Sequence, residues 1–194
     1  MKHLSPAANL SVRIIVLLAL MAVTLLSGSA RLLANEGFSL DAIRGRVASD
    51  YPAVSQLSTA ELAELLGRDD NVLLFDVREE GEYAVSRIPG AVRVDPGIWT
   101  FSFMGQFGEA VRGKTVIFYC SVGVRSSKLA AQVQEEVMEA GATRVHNLDG
   151  GVFAWHNEER PLVNDQGETD FVHPYDPYWG QLVERSELLR MRPE

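Results

Sequence analysis

The chain has 194 residues, 46% of them hydrophobic and 23% charged, as in ordinary globular domains. The formal net charge is −8 and no long basic run appears, so nucleic-acid binding is not expected. A single cysteine excludes an intramolecular disulfide and any multi-cysteine metal site; His3, His146, His156 and His173 lack metal-ligand spacing, and neither metal nor cofactor is expected.

Residues 1–34 differ from the rest. Lys2 and Arg13 flank or precede an apolar run, Ile14 to Leu26, broken only by Thr24 and followed by Ser27-Gly28-Ser29-Ala30. The run is short for a spanning helix, which takes about 20 residues, and suits the apolar region of an export signal. Gly28 and Ala30 fit a small-x-small cleavage site better than Leu32 and Ala34 do. The other reading is an uncleaved anchor extending to Leu33, in which case membrane contact is expected. Either places the remaining chain outside the cytoplasm, in the periplasm by preference.

Residues 35–52, with Gly37, Gly45 and Pro52, read as a linker carrying a short helix near 39–47. Ser58-Thr59-Ala60-Glu61 is a capping box, and Leu62, Leu65 and Leu66 form one face of a helix that Gly67 closes. Asn71–Phe75 is a strand apolar on both faces, ending in Asp76-Val77-Arg78-Glu79. A short helix over 79–85, a turn at Ile88-Pro89-Gly90-Ala91 and a strand over 91–94 follow. The 97–107 connection carries Trp99, Phe101, Phe103, Met104 and Phe107. It is expected to pack on the core as a helix or lid, with a rim for a partner protein or membrane as the other reading.

Thr115–Tyr119 is a second apolar strand, and the lone cysteine follows it in Tyr119-Cys120-Ser121-Val122-Gly123-Val124-Arg125-Ser126-Ser127. A helix is predicted over 126–140, with Leu129, Val133 and Val137 on one stripe and Ser126 and Ser127 as its caps. A loop between strand and helix collects backbone N–H groups and the positive end of a helix dipole, which favour thiolate over thiol. Gly123 lets the loop curl, and Arg125 adds a full positive charge. Cys120 is therefore a candidate nucleophile in an anion-binding loop.

A strand over 143–147, a turn at Leu148-Asp149-Gly150-Gly151 and a helix over 152–157 with Phe153 and Trp155 complete the pattern before Pro161. Alternating strands and helices predict an α/β domain over 53–163 with a mainly parallel sheet. In the C-terminal extension, residues 164–194, His173-Pro174-Tyr175-Asp176-Pro177-Tyr178-Trp179-Gly180 is too apolar for a disordered tail. It is expected to dock on the domain, a protein-partner site being the alternative. Leu182, Val183, Leu188 and Leu189 predict a short terminal helix.

Four segments then occur in the order seen in rhodanese domains: Leu74-Phe75-Asp76-Val77-Arg78-Glu79, Arg87-Ile88-Pro89-Gly90-Ala91, the Cys120–Ser126 loop, and Leu148-Asp149-Gly150-Gly151 with Trp155. Residues 53–163 thus resemble a rhodanese domain; the N-terminal segment and the tail do not take part. The resemblance implies a three-layer α/β domain, with a five-stranded, mainly parallel sheet flanked by helices and the cysteine after the fourth strand. It also implies sulfur transfer: Cys120 attacks the outer sulfur of a small anionic donor such as thiosulfate, sulfite leaves, and cyanide or a thiol takes the sulfur from the persulfide. Ser121, Val122, Gly123, Val124, Arg125 and Ser126 would bind the anion, and Asp76, Arg78 and Arg87 would support the loop. Arg87 departs from the family, which often has His there. Four residues separate Cys120 from Arg125, where cysteine phosphatases and related arsenate reductases have five, so sulfur transfer is expected over phosphate chemistry. A persulfide carrier or binding module with little turnover is the remaining alternative.

Overall fold

The apolar runs at 72–76 and 115–119 become neighbouring strands in the middle of one sheet. The computed structural model describes residues 37–68 and 71–193, so the predicted export segment lies outside the described residues. The elements are α1 (Leu40–Asp50), β1 (Ser55–Leu57), α2 (Thr59–Arg68), β2 (Val72–Asp76), α3 (Glu80–Val85) and β3 (Val92–Arg93). They continue with α4 (Thr100–Phe107), β4 (Thr115–Tyr119), α5 (Val124–Glu139), β5 (Arg144–Leu148), α6 (Gly151–Asn157), β6 (Leu162–Asn164) and β7 (Gly167–Thr169).

Strands β1 to β5 form one parallel sheet in the order β1-β5-β4-β2-β3, flanked by helices as expected. The two strands with the most continuous apolar runs, β2 and β4, sit side by side, with Phe75 beside Phe118 and Asp76 beside Tyr119. Val116, Ile117, Phe118 and Tyr119 are fully buried, which fixes the rigid stem on which Cys120 is mounted. The ladder runs one residue further, where the Val77 N–H donates to the Tyr119 carbonyl at 2.7 Å.

Aromatic packing explains the 97–107 segment. Phe103 and Phe107 on α4 meet Phe75 edge-on at 5.3 and 4.8 Å, and Phe75 stacks on Phe118 at 5.3 Å. Trp99 and Phe101 point the other way and are 80% and 89% exposed. The segment is thus a core helix with two aromatic side chains left outside.

Several local expectations need correction. The stretch read as a linker holds α1, which is longer than predicted: Val47 is buried and Arg44 Nε lies 3.4 Å from an Asp149 carboxylate oxygen. The Ser58–Glu61 capping box forms, with Ser58 N–H donating to Glu61 at 2.8 Å and Glu61 N–H to Ser58 Oγ at 3.2 Å, but α2 continues through Gly67 to Arg68. Helix α5 begins at Val124, capped by Gly123 rather than by Ser126 or Ser127. In the tail, the antiparallel β6–β7 hairpin was not anticipated. The predicted terminal helix is instead two short 3-10 turns, Trp179–Leu182 and Ser186–Leu188. The tail does dock on the domain: Val172, Leu182 and Val183 are buried, and the Asn157 side chain donates to the Leu182 carbonyl at 2.9 Å while accepting from Glu184 N–H at 3.0 Å.

Candidate active site

Cys120 leaves the end of β4 and is 1% exposed. Gly123 closes the turn beneath it with φ +94°, a conformation that costs a side-chain-bearing residue, and its N–H donates to Cys120 Sγ at 3.2 Å. The loop is held from below by α6. The Val152 and Phe153 N–H groups, free at the start of a helix, donate to the Cys120 and Ser121 carbonyls at 2.9 and 3.0 Å. Gly150 and Gly151 allow that approach with φ +73° and +58°; a Cβ on Gly151 would collide with both carbonyl oxygens. With the Cys120 and Ser121 carbonyls drawn down to α6, the loop keeps the Gly123 N–H for the sulfur.

Arg125 does not stand free. Its Nη1 and Nη2 donate to the two carboxylate oxygens of Glu82 on α3, each at 2.7 Å. Ser121 Oγ completes the triangle, donating to Glu82 at 2.9 Å and accepting from Arg125 at 3.0 Å. Glu82 also accepts the Glu79 N–H at 3.0 Å as part of the α3 capping box. Burial alone would push the Glu82 carboxyl up, but the bonds and charge of Arg125, with Arg78 beyond, hold it below the ordinary carboxylate range. Burial likewise works against the Arg125 cation, and Glu82 with the Cys120 sulfur more than reverses that, so its pKa is raised.

Asp76 and Arg78 form a second, wholly buried pair, with Arg78 Nε and Nη2 donating to the two Asp76 oxygens at 2.8 and 2.6 Å. Arg78 also donates to the Ser86 carbonyl at 2.6 Å, and Tyr119 Oη donates to Asp76 at 2.6 Å. Burial, then Asp76, push the Tyr119 phenol well above its usual range, so it stays a donor. This network ties the ends of β2 and β4 to the 86–88 turn behind the loop and does not reach the cavity. Arg87 faces away too: it pairs with Asp165 at 2.7 Å, lies over the Tyr83 ring at 4.6 Å and exchanges backbone bonds with Val163.

A cavity of about 160 Å³ opens over the sulfur. Cys120, Ser121, Val122, Val124 and Arg125 line one side, and Tyr175 and Trp179 from the tail line the other. The Arg125 guanidinium lies 4.9 Å from the Tyr175 ring centroid. The Ser126 side chain does not line the cavity: its Oγ donates to Asn147 Oδ1 at 2.6 Å and pins α5 to β5, which leaves its expected role to the backbone amide. Sequence reasoning missed Glu82, Tyr175 and Trp179 as site residues. Among the described residues, no group of three or more His, Cys, Asp or Glu could hold a metal ion.

The arrangement is a parallel α/β sheet with one buried cysteine at the end of its central strand, its sulfur accepting the Gly123 N–H. Comparison makes this specific. Residues 58–158 match the rhodanese-like domain, and the chain belongs to that family. A sulfurtransferase of Allochromatium vinosum is 30% identical over 114 residues, spanning 59% of this chain and 99% of that protein. A tRNA uridine(34) hydroxylase of Cupriavidus necator is 37% identical over 111 residues, covering 51% of this chain but 36% of that protein. Among solved structures, a thiosulfate sulfurtransferase from Pseudomonas aeruginosa shares the fold with a TM-score of 0.50 at 20% identity, over 74% of this chain and 26% of that one.

Proposed function

We propose that the protein is a sulfurtransferase that carries sulfane sulfur on Cys120. The Cys120 thiolate attacks the outer sulfur of thiosulfate, the S–S bond breaks, and sulfite leaves with its electron pair, giving Cys120–S–S⁻. Cyanide or a thiolate then takes the terminal sulfur and restores the thiolate. The observation that carries this reading is the Gly123 N–H at 3.2 Å from Cys120 Sγ, in a loop braced by α6 beneath a small cavity. It supports stabilisation of negative charge on sulfur without a general acid. The paired state of Arg125 speaks against phosphate chemistry: both terminal nitrogens already engage Glu82, so no guanidinium fork is presented to a phosphate.

Export or anchoring through residues 1–34 remains part of this proposal and is supported by Lys2, Arg13 and the Ile14–Leu26 run. The hydroxylase relative matches over a minority of its own length, which supports a shared module rather than a shared reaction. The test is mass spectrometry after incubation with thiosulfate, which should add about 32 Da, one sulfur atom, to Cys120. Thiocyanate release from thiosulfate and cyanide should vanish in Cys120→Ser; release that persists there overturns the reading. An adduct with little turnover would favour a persulfide carrier.

A further inference from the structure

The wall opposite the nucleophile comes from outside the matched domain. Tyr175 and Trp179 lie beyond residue 158, where the family match ends, yet both line the cavity over Cys120. The segment carrying them is fixed. Tyr175 N–H donates to His173 Nδ1 at 2.9 Å, and Asp176 Oδ1 accepts from Tyr178 and Trp179 N–H at 2.8 and 2.9 Å. Gly180 packs so tightly on Pro174 that a Cβ would lie 2.9 Å from the proline side chain. Tyr175 itself holds φ +69°, a left-handed conformation costly for an aromatic residue, and is 45% exposed. The ring is therefore kept over the Arg125 guanidinium against a local backbone cost.

The charge balance of the cavity points the same way. Among the described residues, Arg125 is the only charged side chain in its lining, and Glu82 neutralises it. The loop amides and the start of α5 support one negative charge on the sulfur being transferred. Among the described residues of the lining no unpaired cation meets a second charge on the donor, whereas Val122, Val124, Tyr175 and Trp179 offer apolar and aromatic surface.

We propose that Tyr175 and Trp179 form a specificity-determining wall that selects singly charged organic sulfane donors with an apolar body, of the thiosulfonate type R–SO₂–S⁻, over dianionic thiosulfate. This rests on the sulfur-transfer reading above. The step balances: Cys120–S⁻ attacks the terminal sulfur of R–SO₂–S⁻, the S–S bond breaks, and the sulfinate R–SO₂⁻ departs with the electron pair, leaving Cys120–S–S⁻.

The test uses thiosulfate, methanethiosulfonate and benzenethiosulfonate as donors, with cyanide as acceptor. The last two share charge and reacting atoms and differ in the body. The wild-type protein should favour benzenethiosulfonate over methanethiosulfonate in kcat/KM by about tenfold, mainly through KM, about what one buried ring contact contributes. Trp179→Ala should bring that ratio near unity, and Trp179→Phe should restore most of it. Tyr175→Gly removes the other ring while relieving the left-handed φ, so it should fold at least as well and also lower the ratio, whatever Trp179→Ala does to folding. A ratio unchanged in Tyr175→Gly and in folded Trp179→Ala, or a wild-type preference for thiosulfate over both thiosulfonates, overturns the wall. Failure of all three donors to leave sulfur on Cys120 overturns sulfur transfer itself.

Discussion

Glu82 receives Arg125 through both carboxylate oxygens at 2.7 Å, although the two residues lie on different helices and are 43 positions apart in sequence. The pair sets the shape of the loop, because Ser121 is held between them. It also sets its charge, because the Arg125 cation beside the sulfur is already matched.

Replacing Glu82 by Gln should therefore do two opposite things. The buried pair loses its charge, and stability should fall by about 1–3 kcal/mol, the cost of leaving a charged donor poorly matched. The freed guanidinium should bind a dianion better, so KM for thiosulfate should fall by about fivefold, roughly 1 kcal/mol. Steady-state cyanolysis and urea unfolding read the two effects; a higher KM would mean that Arg125 braces the loop and attracts nothing.

The same pair predicts a pH dependence. The Glu82 carboxyl is depressed below its unfolded value, so its contribution is complete above about 4.3, the unperturbed glutamate pKa. It is lost as pH falls through the lower folded value. Wild-type and Glu82→Gln proteins should thus differ most in urea midpoint near neutrality and converge as the medium is acidified below that range. A gap that stays constant into strong acid would show that Glu82 contributes through packing instead.

Gly151 offers a steric test of the loop's support. Gly151→Ala places a methyl group against the Cys120 and Ser121 carbonyls at φ +58°. It should cost about 2–4 kcal/mol and reduce sulfur transfer at least about tenfold, since the loop must lift off α6. Gly90→Ala has a comparable φ of +78° and open space around it. It should cost about 1 kcal/mol and leave turnover intact. Equal effects at the two glycines would separate the sulfur chemistry from the contact with α6.

Behind the loop, Asp76→Asn removes one partner of a fully buried pair and should destabilise the fold by about 3–5 kcal/mol. Tyr119→Phe deletes one neutral donor to the same carboxylate and should cost about 1–2 kcal/mol. Folded Asp76→Asn protein should keep its turnover, because the network does not line the cavity. Thermal melting and activity per folded molecule check both points.

On α4 the contrast is between neighbours in sequence. Phe103→Ala should cost about 3–5 kcal/mol, whereas Phe101→Ser, at a side chain 89% exposed, should stay within about 0.5 kcal/mol. Chemical denaturation of the two variants measures the difference directly.

Cys120 and its strand were legible because they are contiguous: an apolar run, a cysteine, a glycine and an arginine follow one another from 115 to 125. The partners were not, because they are assembled by folding. Glu82 reads locally as the far end of a capping box with Glu79, and only the crossing of α3 with the loop gives it Arg125. Tyr175 and Trp179 lie some fifty residues downstream and reach the cavity through a segment without helix or strand periodicity. Ser126 was misread because serine is a good cap, but a left-handed glycine three residues earlier turns the chain first. The terminal helix failed for a similar reason. Asn157 takes the Leu182 carbonyl and the Glu184 N–H, so those groups are diverted from a helical ladder.

The depth of Cys120 has a consequence for how copies of the protein treat one another. A disulfide requires two sulfurs to approach to about 2.05 Å, with their Cα atoms about 4.4–6.8 Å apart. The sulfur of a cysteine that is 1% exposed, at the base of a cavity with an aromatic wall, cannot be met that closely by the same sulfur of a second folded copy. The cavity of about 160 Å³ has room for a small molecule, not for another protein's cysteine buried in the same way. The fold thus protects its only thiol from covalent dimerisation by shape alone, without a second cysteine to act as a guard.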